Sequence, residues 1–93
     1  MAIVVKYDVQ GMDASRYDEI IRQLAAIGQG EPDGRMYHIC YGDSERLQVI
    51  DVFEDYDRLN AFGQQLLPIL QRLGIEVQPE AIEVYNIIEG RAD

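Results

Sequence analysis

The single histidine of the chain, His38, sits in the β-rich run Tyr37-His38-Ile39-Cys40-Tyr41. A second run of the same kind, Val49-Ile50-Asp51-Val52-Phe53, follows the polar connector Gly42-Asp43-Ser44-Glu45-Arg46. Together they read as a hairpin. A two- or four-residue connection centred between Ser44 and Glu45 pairs Cys40 with Val49, His38 with Asp51 and Met36 with Phe53, whereas a three-residue connection breaks these pairs. Imidazole is the natural general base near neutral pH, and a carboxylate across the strand fixes its tautomer. His38 and Asp51 are therefore the candidate acid–base pair, with Tyr7 of the first strand as a third catalytic candidate. Phe53, Met36 and Asn86 are the candidates for ligand contact. A structural reading stands beside the chemical one. A His–Asp hydrogen bond satisfies two polar groups in a partly buried sheet, and tyrosines commonly pack a core with the hydroxyl at its edge.

Other chemistry finds less support. Cys40 would react only as a thiolate, and this acidic chain offers it no obvious cation, so it reads as a small apolar residue. A lone cysteine excludes an intramolecular disulfide and any multi-cysteine zinc site. His38, Asp51 and the scattered acids do not fall at metal-ligand spacing, so neither a metal nor a cofactor is expected. Gly28-Gln29-Gly30 is too short, and in the wrong context, for a phosphate cradle.

The elements that must position these residues follow from periodicity. Residues 3–9 alternate as a strand, with Ile3, Val5, Tyr7 and Val9 on one face and Val4, Lys6 and Asp8 on the other. Ser15 followed by Asp18 resembles a helix N-cap, and Tyr17, Ile20, Ile21, Leu24 and Ile27 recur at helical spacing, ending at Gly28 or Gly30. The Gly- and Pro-bearing residues 29–35 form a turn-rich connection into the hairpin. Asp55 caps a second helix whose apolar stripe runs from Leu59 to Leu73, with Gly74 ending it and Pro68 expected to kink or split it. Residues 76–79 read as a loop and residues 81–89 as the last strand, with Ile82, Val84, Asn86 and Ile88 on one face.

The order is β-α-β-β-α-β. It implies an α+β, ferredoxin-like, four-stranded antiparallel sheet with both helices on one face and the first and third strands central. In the register above, Tyr37, Ile39, Ile50 and Val52 go to the helix-covered core. Val5, Tyr7, Met36, His38, Cys40, Val49, Asp51 and Phe53 go to the other face. That face is too apolar for a soluble monomer, so a homodimer with sheets facing each other, and a cavity in or beside the interface, is the expectation.

Composition bounds the rest. Ninety-three residues make one small domain, residues 1–93. Eight basic against seventeen acidic residues give a formal net charge of −9, which argues against a nucleic-acid partner. No apolar run reaches the ~18 residues of a membrane span. The start Met-Ala-Ile-Val-Val-Lys reads as a strand and not a signal peptide, which leaves a reducing cytoplasm as the expected compartment.

Over nearly its whole length the chain resembles the dimeric α+β-barrel superfamily, and within it the antibiotic-biosynthesis-monooxygenase-like proteins. The resemblance rests on the element order, on Val49-Ile50-Asp51-Val52-Phe53-Glu54-Asp55 leading straight into a helix, and on Leu67-Pro68-Ile69-Leu70 followed by Leu73-Gly74-Ile75. Phe53 stands where related sequences carry a tryptophan. It implies the fold more firmly than an activity. The haem-degrading branch has an asparagine where Tyr7 stands, a tryptophan where Phe53 stands and a histidine on the second helix, and residues 55–74 contain no histidine. Haem chemistry is therefore not carried over. Cofactor-free monooxygenases of the superfamily oxidise electron-rich phenols in a closed apolar pocket. The resemblance thus implies an enzyme of that kind acting on an aromatic or polyketide-like molecule, or a non-catalytic ligand-binding or assembly module on the same barrel.

Overall fold

The apolar residues Ile3, Val5, Tyr7 and Val9 alternate along the first strand, and all of them are buried. In the computed structural model, which describes residues 1–91, this strand is β1 (Ile3–Gln10). It is followed by α1 (Ala14–Ala26), β2 (Arg35–Asp43), β3 (Arg46–Phe53), α2 (Tyr56–Arg72) and β4 (Glu76–Glu83). The four strands lie in the order β2-β3-β1-β4, every pair antiparallel, and both helices cover the same side. This is the ferredoxin-like arrangement that the element order implies.

Strand β1 decides which side is covered, and it reverses the expected assignment of faces. Ile3 stands opposite Phe53, Val5 opposite Asp51 and Tyr7 opposite Val49, so all six turn toward the helices. There they meet Ile20 and Leu24 of α1 and Phe62, Ile69 and Leu70 of α2. His38 and Cys40, paired with Asp51 and Val49, share that side. Tyr37, Ile39, Ile50 and Val52 lie on the open side instead. The opposite choice would press Lys6 and Asp8 into the core, and burying charge without partners is far costlier than leaving branched apolar residues half exposed. The open side keeps its own apolar patch, centred on Val4, Ile39, Ile50 and Val52.

The hairpin has the two-residue connection Ser44-Glu45, braced by Asp43, whose Oδ1 accepts the Glu45 and Arg46 amides at 2.9 and 3.0 Å. Cys40 pairs with Val49 and His38 with Asp51, as the spacing predicts. The expected Met36–Phe53 pair does not form. A β-bulge makes Arg35 the partner of Phe53, leaving Met36 as the extra residue, 46% exposed.

Local capping explains the helix starts. Asp13, not Ser15, caps α1, accepting the Arg16 amide at 2.9 Å. The Ala14 amide, one of the unpaired donors of the first turn, is taken by Ser44 O at 2.8 Å, so the hairpin tip fixes where the helix begins. Gly28, with φ +78°, follows α1 as the left-handed residue. Asp55 caps α2 as expected, accepting the Arg58 amide at 2.9 Å. Helix α2 runs through Pro68 without splitting. The ring faces solvent, and Ile69 and Leu70 beside it anchor that turn in the core. Strand β4 starts at Glu76, earlier than the sequence suggests, because its whole length finds a ladder partner in β1, from Gln10–Glu76 to Ile3–Glu83. Pro79 is accommodated since β4 is an edge strand. Asn86 therefore lies beyond the last strand. Among the described residues, no helix is long and apolar enough to cross a membrane.

Gly34 gives a test of this geometry. It has φ +83°, its carbonyl accepts the Glu54 amide at 2.8 Å, and a Cβ there would run into the Arg58 side chain. Gly34→Ala is expected to lower stability by about 1–3 kcal/mol in urea unfolding. Gly30→Ala, whose Cβ would meet nothing closer than 3.7 Å, is the control and should change it little.

Candidate active site

The register that puts Asp51 under the helices also puts it against two other polar side chains. Asp51 is 2% exposed. Its Oδ1 lies 2.6 Å from His38 Nδ1, and its Oδ2 accepts the Tyr7 hydroxyl at 3.3 Å. On the far side of the imidazole, His38 Nε2 lies 2.6 Å from the Tyr17 hydroxyl. The order is thus Tyr17–His38–Asp51–Tyr7, drawn from α1, β2, β3 and β1. With Nδ1–H donated to the carboxylate, Nε2 carries the lone pair and the Tyr17 phenol donates to it.

Each member is set by the fold. His38 and Asp51 are cross-strand partners, and Tyr7 lies one register step along β1 from Val5, the partner of Asp51. Tyr17 lies one turn into α1, whose start is pinned to the hairpin tip. Its ring lies nearly parallel to the imidazole, with centroids 6.0 Å apart and planes at 11°.

The electrostatics keep both phenols protonated. Burial raises the Tyr7 phenol far above its ordinary value, and the neighbouring Asp51 charge adds to the effect. Burial also raises Tyr17, with Cys40 next in effect. The field of Arg35 pulls the other way at both. Burial raises the Cys40 thiol as well, which suits a packing role.

Tyr7, Tyr17, His38 and Asp51 border a cavity of about 50 Å³ between the sheet and the helices, walled mostly by apolar residues such as Val49, Leu66 and Leu70. Arg35 reaches it from β2. A wider open groove of about 560 Å³ runs between α2 and β4, and Tyr7 lines both spaces. Among the described residues, no three His, Cys, Asp or Glu side chains come together as a metal site.

The structure thus brings His38, Asp51 and Tyr7 to one place, inside one chain and not at a sheet-to-sheet interface. The three ligand-contact candidates lie elsewhere. Phe53 is fully buried against Phe62, with centroids 5.5 Å apart. Met36 is turned outward by the bulge, and Asn86 is exposed beyond β4. Two residues of the site are absent from the sequence reading. Tyr17 counts there only as part of an apolar helical stripe, and its hydroxyl could have been suspected because it sits at the end of that stripe. Arg35 falls in the connection before the hairpin, and nothing in the sequence signals the bulge that turns it inward.

No protein-family profile matches the chain, and no curated protein does. Solved structures match it over nearly its full length. One is a candidate antibiotic biosynthesis monooxygenase from Deinococcus radiodurans, at a TM-score of 0.62 and 14% identity, covering 99% of this chain and all of that one. Another is SnoaB, a cofactor-independent oxygenase from Streptomyces nogalater, at a TM-score of 0.61 and 17% identity, covering 96% of both chains. At such identities the likeness is one of architecture. In fold, the chain is similar to these two structures.

Proposed function

We propose that the protein is a small cofactor-independent oxygenase that acts on an aromatic, phenol-bearing molecule, with His38 as general base. One observation carries this reading. The Tyr17 phenol directs its hydroxyl at His38 Nε2, 2.6 Å away, with the two ring planes within 11° of each other, which is the pose a phenolic substrate needs. Tyr17 thus stands in for the substrate. When a ligand displaces it, the ligand's O–H bond breaks, the proton passes to Nε2, and the electron pair stays on the oxygen. Asp51, bonded to Nδ1, stabilises the imidazolium so formed. The electron-rich anion then supplies all four electrons that dioxygen takes up, one oxygen atom becoming a quinone carbonyl and the other leaving as water with the hydrogens of the phenol O–H and the attacked ring C–H, so no further redox group is required. Tyr7 holds Asp51 in place through a proton that it retains. The likeness to SnoaB in architecture agrees with this chemistry without supplying the residues for it.

A second reading has its own support. A cavity of about 50 Å³ is far smaller than the ~300–1,000 Å³ of ordinary ligand pockets. A fully bonded polar network can also serve only to satisfy a buried carboxyl. On that reading the chain is a binding or assembly module, and Tyr17 never leaves His38. Oxygen uptake with hydroxylated naphthalenes separates the two. The enzyme should exceed the buffer rate, and His38→Ala should lose about 100-fold or more. Equal rates for variant and parent, or for parent and buffer, would falsify the oxygenase reading.

The proton held by Tyr7 has a consequence for stability. The folded state raises its affinity for that proton, so the contribution is complete below the unfolded value of about pH 10 and is lost as pH rises beyond it. Tyr7→Phe should start less stable at neutral pH by about 1 kcal/mol. It should then lose less than the parent between about pH 8 and pH 11 in denaturant titrations.

We also propose a homodimer formed by the open faces of two sheets, because Val4, Ile39, Ile50, Val52 and Ile82 form an apolar patch there. Light scattering at micromolar concentration should give twice the chain mass. Ile39→Lys should halve it, and a parent that is already monomeric removes the proposal.

A further inference from the structure

The bulge at Met36 has a chemical effect. Strict alternation back from His38 would turn Met36 inward and Arg35 outward. The extra residue reverses this, and Arg35 becomes the partner of Phe53 on the helix-covered side. Bulges beside functional sites commonly re-aim a side chain in this way. The result is a guanidinium at the wall of an otherwise apolar and acidic cavity.

Arg35 is also free to bind. Its guanidinium lies 5.6 Å from the centroid of Phe62, over the ring face, and makes one long hydrogen bond, 3.4 Å, to Gly30 O. No carboxylate of the described residues pairs with it. In a chain of net charge −9, an arginine without a carboxylate partner beside a cavity is suited to hold an anion. The other ionisable groups bordering the cavity are Tyr7 from β1, Tyr17 from α1, His38 from β2 and Asp51 from β3, and α2 contributes only apolar side chains to it. Arg35 is the one lysine or arginine side chain among the described residues that border the cavity.

We propose that Arg35 is the anion-holding residue of this cavity, so that the aromatic ligand is bound with its oxygen ionised, as a phenolate. This rests on reading the cavity as the substrate site, and it adds the charge state of what is bound. His38 removes the proton and Arg35 stabilises the oxygen left behind. Arg35 also offsets the Asp51 charge, which by itself would repel an anion in this cavity. The field of Arg35 already opposes the upward displacement of both tyrosine phenols that border the cavity, and a ligand phenol beside it would feel the same pull.

The test uses 4-nitrophenol, whose ionised form absorbs visibly and whose neutral form does not. The full chain, titrated into the probe at the pH where half the free probe is ionised, should increase the phenolate absorbance. Bound probe should favour the ionised form by about tenfold over free probe. Arg35→Gln should abolish the increase and Arg35→Lys should keep part of it. If the parent binds the probe in its neutral form, does not bind it at millimolar concentration, or behaves like Arg35→Gln, the assignment is overturned. Failure of the oxygenase reading is seen separately, as unchanged oxygen uptake in His38→Ala with the Arg35-dependent absorbance intact.

Discussion

A carboxyl group on a central strand, under two helices, constrains everything around it. Asp51 is nearly inaccessible, and an unpartnered charge or polar group at such a place costs several kcal/mol. Three conditions have to be met at once for it to be tolerated. The hairpin must hold His38 directly opposite, β1 must bring Tyr7 within reach, and α1 must close over the imidazole with Tyr17. A slip of one residue in either pairing would remove a partner and strand the carboxyl. The polar chain therefore specifies the register of three strands as effectively as the apolar core does. It also explains why a histidine stands on an otherwise apolar face.

Much of this was legible in the sequence, and the failures have physical causes. The element order, the Asp55 cap and the His38–Asp51 pair follow from periodicity and from a short polar connector. The side to which they belong does not follow from the hairpin, whose two faces are about equally apolar. Only β1 breaks the tie, with Lys6 and Asp8 on one side and four apolar residues on the other. The Met36 bulge is invisible because a parity change leaves no mark in residue type. Strand β4 was obscured by Pro79, which reads as a turn unless the strand is known to be at an edge. Tyr17 was hidden for a different reason. An aromatic ring at helical spacing serves a core, and its hydroxyl becomes chemical only through a neighbour on another element.

The reversal of faces separates two roles that the sequence had merged. Candidate chemistry lies between sheet and helices, within one chain. The exposed apolar patch lies on the opposite side of the same strands. Neighbouring residues of β2 serve alternately one role and the other, Tyr37 and Ile39 outward, His38 and Cys40 inward. A change at the patch can thus alter association without touching the cavity, although strands only one residue thick transmit shifts of the backbone to both.

The two edges of the sheet are unequally protected. Strand β4 carries Pro79 together with Glu76, Glu80 and Glu83, devices that discourage a further strand from adding alongside. Strand β2 has no charged residue and no proline between Met36 and Gly42. Its outer row of backbone donors and acceptors has no strand neighbour. In a crowded or partly unfolded population, intermolecular strand addition and the growth of ordered aggregates would begin there. The segment that carries the histidine is accordingly the less protected edge of the sheet.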